Sequence, residues 1–243
     1  MNALANPEVG AYLDKYFVSS FQKVATFRIV NGQKQGGNVA SYFCAPDGRV
    51  LHCVAGPVDA ATMLREAKWV VESARKAVEE SKRTETTFKA VFRKMHAEKL
   101  RQDYGLVVEA VPFDAPEAAE DGPLTYNDPT GRPLVVALPP PPIDGPDVQF
   151  RKMAQEAKPD AAAGVAADKA GRRWVLGNDG RVHQMMAAYS MLKIERVYAT
   201  VFENLLGERV STQPVLTLNG RQDSGKAICL TCESRRALDA VGK

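Results

Sequence analysis

From Val58 to Tyr104 the chain runs 47 residues without a glycine or a proline, and this one stretch restricts the fold more than any other feature. Ala60, Met63, Leu64, Ala67, Val70, Val71, Ala74, Ala77 and Val78 recur at the three- and four-residue spacing of a single helical face. The spacing predicts a helix from about residue 58 to 103, either as one long rod or as two helices in line. Pro57 suits the first turn, where a missing N–H does no harm, and Asp59 stands near the positive end of the helix dipole. The second half, Arg75 to Arg101, carries nine Lys/Arg against four Glu. Only Phe88, Phe92 and His96 interleave those charges, so a solvated helix face is favoured over a nucleic-acid contact.

A helix of this size needs a sheet or further helices against its apolar stripe, and the flanking sequence supplies β-type patterns. Tyr16 to Val24 and Thr26 to Val30 are rich in aromatic and β-branched residues, with Gly32, Gly36 and Gly37 marking a loop. Asn38 to Cys44 and Arg49 to Val54 flank Ala45-Pro46-Asp47-Gly48, which reads as a β-hairpin. Residues 1–105 form a first unit on this pattern. Residues 106–147 form a proline-rich connector with one short strand from Pro133 to Leu138, ending in the four prolines 139–142, which no helix or central strand accommodates.

Residues 148–243 return to mixed character. A short helix is expected from Val148 to Lys158, a loop from Ala161 to Ala170 and a strand from Arg173 to Leu176. A second helix is expected from about Val182 to Leu206, stopping at Gly207, then a strand from Val215 to Leu218 and a helix from Cys229 to Val241.

The composition, 45% hydrophobic and 25% charged, is that of an ordinary globular chain of one large or two small domains. Lys+Arg exceed Asp+Glu by only 3, which gives no reason to expect nucleic acid. No apolar run approaches the roughly 18 residues of a membrane span, and the N-terminus lacks a signal-peptide pattern, so a cytoplasmic protein with no membrane partner is expected.

Four cysteines and three histidines are the candidates for chemistry. With the hairpin turning at Pro46 to Gly48, Cys44 falls opposite Val50, which places Cys53 on the other sheet face and His52 on the Cys44 face near Tyr42. Inert, buried thiols are expected there. Cys229-Leu230-Thr231-Cys232 at the start of a helix is the sharper signal, because unpaired N–H groups and the helix dipole stabilise a thiolate at the first turn. A zinc site would need a second pair, which only Cys44 and His52 could supply in space, so neither a metal nor a cofactor is expected. His96 and His183 read as structural histidines. Gly220 to Ala227 matches G-x-x-x-x-G-K but has Ala227 where a phosphate loop needs a hydroxyl, so nucleotide binding is disfavoured.

Two separated pieces resemble a thioredoxin-like domain. EVGAYLDKYFVSSFQKVATF followed by GGNVASYFCAPDGRVLHCVAGPVDAATMLREAKWVVE is similar to its C-terminal part: a central strand, a hairpin with a D-G turn, a Gly-Pro bend and a closing helix. QPVLTLNGRQDSGKAICLTCESRRALDAV resembles the N-terminal part, with a strand, the C-x-x-C and its helix. The resemblance implies an α/β fold, a thioredoxin-like sheet with helices, its elements contributed from both chain ends around a helical middle. They would be joined within one chain or by a domain swap between copies.

By the same resemblance, Cys229 would be the attacking thiolate of a thiol-disulfide oxidoreductase acting on a protein thiol client, Cys232 the resolving thiol, and Lys226 an electrostatic aid. Ile228 replaces the family's usual Trp, Leu230-Thr231 its frequent Gly-Pro, and no proline stands near Val39. These departures favour the alternative, a non-catalytic interaction or assembly protein that forms a homo-oligomer or binds a protein partner.

Overall fold

The structure, a computed structural model, describes residues 3–21, 28–30, 33–35, 38–108, 121–122, 124–136, 165–168, 173–208, 215–216 and 222–223. The fold is mixed α/β, with five α-helices and small antiparallel sheets among those residues. Helix α1 (Pro7–Tyr16) begins where Asn6 accepts from the N–H groups of Glu8 and Val9, with Pro7 in the first turn. It ends at the start of the segment expected to be β-rich, Tyr16 to Val24, of which Phe17–Phe21 form no strand and residues 22–24 lie outside the described residues. Strands β1 (Arg28–Val30) and β2 (Gln33–Gln35) then form a two-stranded sheet.

Strands β3 (Ala40–Cys44) and β4 (Val50–Ala55) form the expected hairpin. The chain leaves it through Gly56 at φ 101°, a conformation that side-chain-bearing residues rarely adopt. Gly56→Ala should therefore cost about 1–2 kcal/mol in backbone strain, read as a lower urea midpoint at unchanged m-value.

The Gly- and Pro-free stretch is two helices. Helix α2 (Ala60–Thr84) starts on Asp59, whose carboxylate accepts from Thr62 N–H, and ends at Glu85 in the left-handed region. Helix α3 (Phe88–Tyr104) restarts on a Thr87 cap and stops at Gly105. They are not in line. The Trp69 and Phe92 rings lie 6.2 Å apart, whereas 23 residues of continuous helix would separate them by roughly 34 Å at 1.5 Å per residue. Ion pairs such as Arg83 to Glu80 and Arg101 to Glu98 line exposed faces, as expected of a solvated surface, whereas Arg93 of the same basic half is buried.

Strands β5 (Val107–Val108), β6 (Tyr126–Asn127), β7 (Pro133–Val136), β8 (Val165–Asp168) and β9 (Arg173–Val175) make an antiparallel five-stranded sheet in that order. The connector thus contributes three strands, and β8 lies inside a segment expected to be loop. The helix expected from Val182 to Leu206 begins earlier and breaks. Helix α4 (Asn178–Ala188) ends before Met191, which takes φ 63°, and α5 (Ile194–Thr200) continues into a π-turn, Val201–Leu205, ahead of Gly207. Strands β10 (Val215–Leu216) and β11 (Gln222–Asp223) pair with each other. The expected helix at 148–158, the prolines 139–142 and the C-terminal C-x-x-C helix lie outside the described residues.

The β3–β4 hairpin is packed on both faces. Phe43, Leu51 and Val54 join Val9, Met63, Ala67, Val70, Val91 and Phe92 in a core shared with α1, α2 and α3. Val50, Cys53 and Ala55 pack instead with Val182, Met185, Met186 and Val197. A third core, including Leu100, Leu106, Tyr126, Leu134 and Ala187, joins the five-stranded sheet to α3 and α4. α3, α4 and β4 therefore converge at the centre of the molecule.

Candidate metal centre

All three histidines of the chain meet at that convergence, and a β-bulge decides how. Cys44 pairs with Val50, but the next pair along is Phe43 with His52, so Leu51 is an extra residue on β4. The slip turns His52 away from the Cys44 face and aims it at α2. It also places Cys53 opposite Tyr42, in the same apolar cluster as Cys44. The expected sharing of one face by Cys44 and His52 is corrected, and with it the zinc half-site they would have formed. The expectation ran the alternation unbroken through the bulge.

His52 meets Glu66 and Trp69 from α2, His96 from α3, and His183 and Asp179 from α4. Glu66 occupies the buried stripe of α2, between Met63 and Val70, where an apolar residue would be ordinary. Asp179 and His183 are four residues apart on one face of α4. The imidazole centroids lie 4.8 Å apart for His52 and His183, 5.0 Å for His96 and His183 and 5.7 Å for His52 and His96. Trp69 closes one side edge-on, at 5.2 Å from His52 and 4.9 Å from each of the other two.

Two sets of donors fall within coordinating range, the three histidines and the quartet His52, Glu66, Asp179 and His183. Hydrogen bonding decides between them. Both His96 nitrogens are engaged, Nδ1 with His183 Nδ1 at 2.8 Å and Nε2 with the Leu51 carbonyl at 2.9 Å. In contrast, both nitrogens of His52, Glu66 Oε2 and His183 Nε2 are buried with no hydrogen-bond partner. Orphaned groups of this kind carry a desolvation cost of about 1–3 kcal/mol each, so their convergence calls for an explanation.

A cation shared by the quartet provides one. His52 Nε2 stands 3.5 Å from Glu66 Oε2, His183 Nε2 stands 3.8 Å from Asp179 Oδ1, and the four donor atoms all lie within 4.8 Å of one another. Donors around a tetrahedral zinc with bonds near 2.0–2.1 Å sit about 3.3–3.5 Å apart, so the two closest pairs already stand near coordination spacing and the wider pairs would contract on binding.

The electrostatics agree. Burial works to raise the Glu66 carboxyl, but the His52 imidazole and the Arg65 guanidinium, whose Nε donates to Glu66 Oε1 at 2.8 Å, outweigh it and hold the group below its ordinary value. Asp179 is raised by burial and by the neighbouring Glu66 charge, against weaker pulls from His52, the Tyr104 hydroxyl and Arg65. Burial holds His96 and His183 well below the ordinary imidazole value, with His52 adding to the effect at both and His96 and Lys99 adding to it at His183. The Glu66 and Asp179 carboxyl groups thus face the His183 imidazole, whose protonation burial opposes, an arrangement that favours a divalent cation.

The partners of the ligands are themselves held. Tyr104 Oη donates to Asp179 Oδ2 at 3.1 Å, and its ring lies so close over Gly180 that an added Cβ there would stand 2.8 Å from Tyr104 Cζ. The Asp179 side chain is 37% exposed, so the centre opens to solvent on that edge, while Trp69 and the histidines close the rest.

Of the residues singled out in the sequence, Cys229, Cys232 and Lys226 lie outside the described residues. Cys44 and Cys53 are free thiols; burial pushes Cys44 up to about 11 and Cys53 higher still, which makes both poor nucleophiles. His96 is a hydrogen-bonded structural histidine in the expected sense, but His183 keeps one unpartnered nitrogen and His52 two. Two signals for the quartet were present in the sequence: Glu66 interrupts an apolar helical stripe, and Asp179 precedes His183 by one helical turn. No protein-family model, curated protein or solved structure matches this chain.

Proposed function

We propose that this chain is a divalent-metal protein, its ion held by His52, Glu66, Asp179 and His183. The observation that carries this reading is the convergence of unpartnered buried donors from β4, α2 and α4 on one point. Two imidazoles and two carboxylates suit a first-row transition dication, zinc foremost, better than magnesium or calcium, which prefer oxygen alone. The ion would supply Lewis acidity at the edge left open beside Asp179, and it would tie three elements from distant parts of the chain.

Metal analysis of protein purified without chelator tests this, with Cys229→Ser and Cys232→Ser introduced so that the C-x-x-C cannot contribute. One equivalent of zinc, iron, cobalt or manganese per chain is expected. Apo protein should also take up one cobalt(II) with ligand-field bands and a change in Trp69 emission, measured in a Trp174→Phe background. A protein that is metal-free as isolated and takes up none on titration overturns the reading.

A second proposal concerns Cys229 and Cys232. The succession of hairpin, Gly56-Pro57 bend and helix supports the thioredoxin-like reading of this half. On that reading Cys229 attacks and Cys232 resolves in thiol-disulfide exchange, or the scaffold serves assembly with a partner or a second copy. Alkylation across a glutathione series separates the two. A reversible Cys229–Cys232 disulfide supports exchange, and two inert thiols support the scaffold.

A further inference from the structure

The hydrogen bonds around His96 specify more than its own place. A backbone carbonyl only accepts, so the 2.9 Å contact to Leu51 O requires the proton of His96 to be on Nε2. His96 Nδ1 is then a bare lone pair. It stands 2.8 Å from His183 Nδ1, and two lone pairs at that distance repel, so His183 must donate from Nδ1. A neutral His183 with its proton on Nδ1 has none on Nε2, the nitrogen that faces Asp179 and has no hydrogen-bond partner.

The opposite polarity, with His96 protonated on both nitrogens, would bury a cation whose ring neighbours are His52, Trp69, Phe92 and His183. It would also give His183 Nε2 a proton, with its nearest carboxylate oxygen at 3.8 Å, beyond hydrogen-bond reach. Geometry and burial favour the first arrangement.

We infer that His96 is a positioning residue that commits the His183 Nε2 lone pair to the metal, through a chain running from the Leu51 carbonyl to His96 to His183. The inference rests on the proposed centre. It also gives the bulge a second role, since the residue left out of the β3–β4 ladder is the one whose carbonyl sets the tautomer. Fixing the far nitrogen of a ligating histidine in this way orients the ring and strengthens the donor.

Long-range 1H–15N correlation spectra of the apo protein read the tautomers directly, and three histidines make assignment tractable. His96 should carry its proton on Nε2 and His183 on Nδ1. Zinc affinity, measured by competition with a chromophoric chelator, should then fall about 10–100-fold in His96→Phe, which neither accepts nor donates. It should stay near the wild-type value in His96→Gln, whose amide can do both. Zinc binding by a protein in which His183 is protonated on Nε2 overturns the inference alone. So does a folded His96→Gln variant that is weakened as severely as His96→Phe. Wild-type protein that takes up no zinc overturns the centre itself and is thereby told apart. If His96→Phe fails to fold, the tautomers and the glutamine variant still decide.

Discussion

Removing the His183 imidazole, as in His183→Ala, should weaken zinc binding by about 100- to 1,000-fold. Structural zinc sites are worth about 10–16 kcal/mol at neutral pH, and a quarter share is about 2.5–4 kcal/mol per ligand. His183→Ala also strips His96 Nδ1 of its partner, so Glu66→Gln and Asp179→Asn are the cleaner companions: each keeps its shape and loses one charge. Asp179 is the most exposed of the four, and Asp179→Asn should leave the apo fold nearly untouched while lowering affinity in the same direction. Chelator competition on all three variants gives the measurement. Affinities within threefold of wild type would show that the quartet does not hold the ion.

The sequence carried the elements better than their meeting. Pro57, Asp59 and the apolar stripe from Ala60 to Val78 announce a helix because its period and cap are local properties, and Ala45 to Gly48 announce a hairpin for the same reason. Two helices were one of the two readings of the long stretch, but their turn at Glu85 and the break near Met191 could not be placed, because neither residue is a glycine or a proline although both take positive φ. β8 was missed for a related reason: Ala-rich Val165–Asp168 has weak β-propensity and forms a strand because β7 and β9 flank it.

The metal quartet depended on the least local information of all. His52, His96 and His183 are separated by 44 and 87 residues, and only a packed molecule shows that they share a point. The bulge at Leu51 then reverses the face that strict alternation assigns to His52. Glu66 was the legible clue, since a carboxylate on the buried face of an apolar stripe is costly unless something compensates it.

Chelation at neutral pH should lower Tm by roughly 8–16 °C, and the gap should narrow on acidification. A ligand present at a thousand times its Kd stabilises by about 4 kcal/mol, and for a chain of this size each kcal/mol moves Tm by about 2–4 °C. The apo protein has its own acid sensitivity. Burial depresses His96 and His183 in the folded state, whereas in the unfolded chain they protonate near pH 6.5. As pH falls through that value the unfolded state binds protons that the native state refuses, so their contribution is complete above about pH 6.5 and is lost progressively below it.

Asp179 acts in the opposite sense. Its raised folded value lets the native state take up a proton first, which offsets part of the loss at the acid end. In the metal-bound protein protons compete with the ion for both imidazoles and both carboxylates, so the advantage of the bound form shrinks over the same interval. Tm measured from pH 7.5 to 5 with zinc and with chelator resolves both effects. The zinc curve should start higher and fall more steeply, and the apo curve should bend downward below about pH 6.5. An apo curve that stays flat to pH 5 would mean that His96 and His183 protonate in the folded state as readily as in the unfolded one, and two coincident curves would mean that the fold does not depend on an ion.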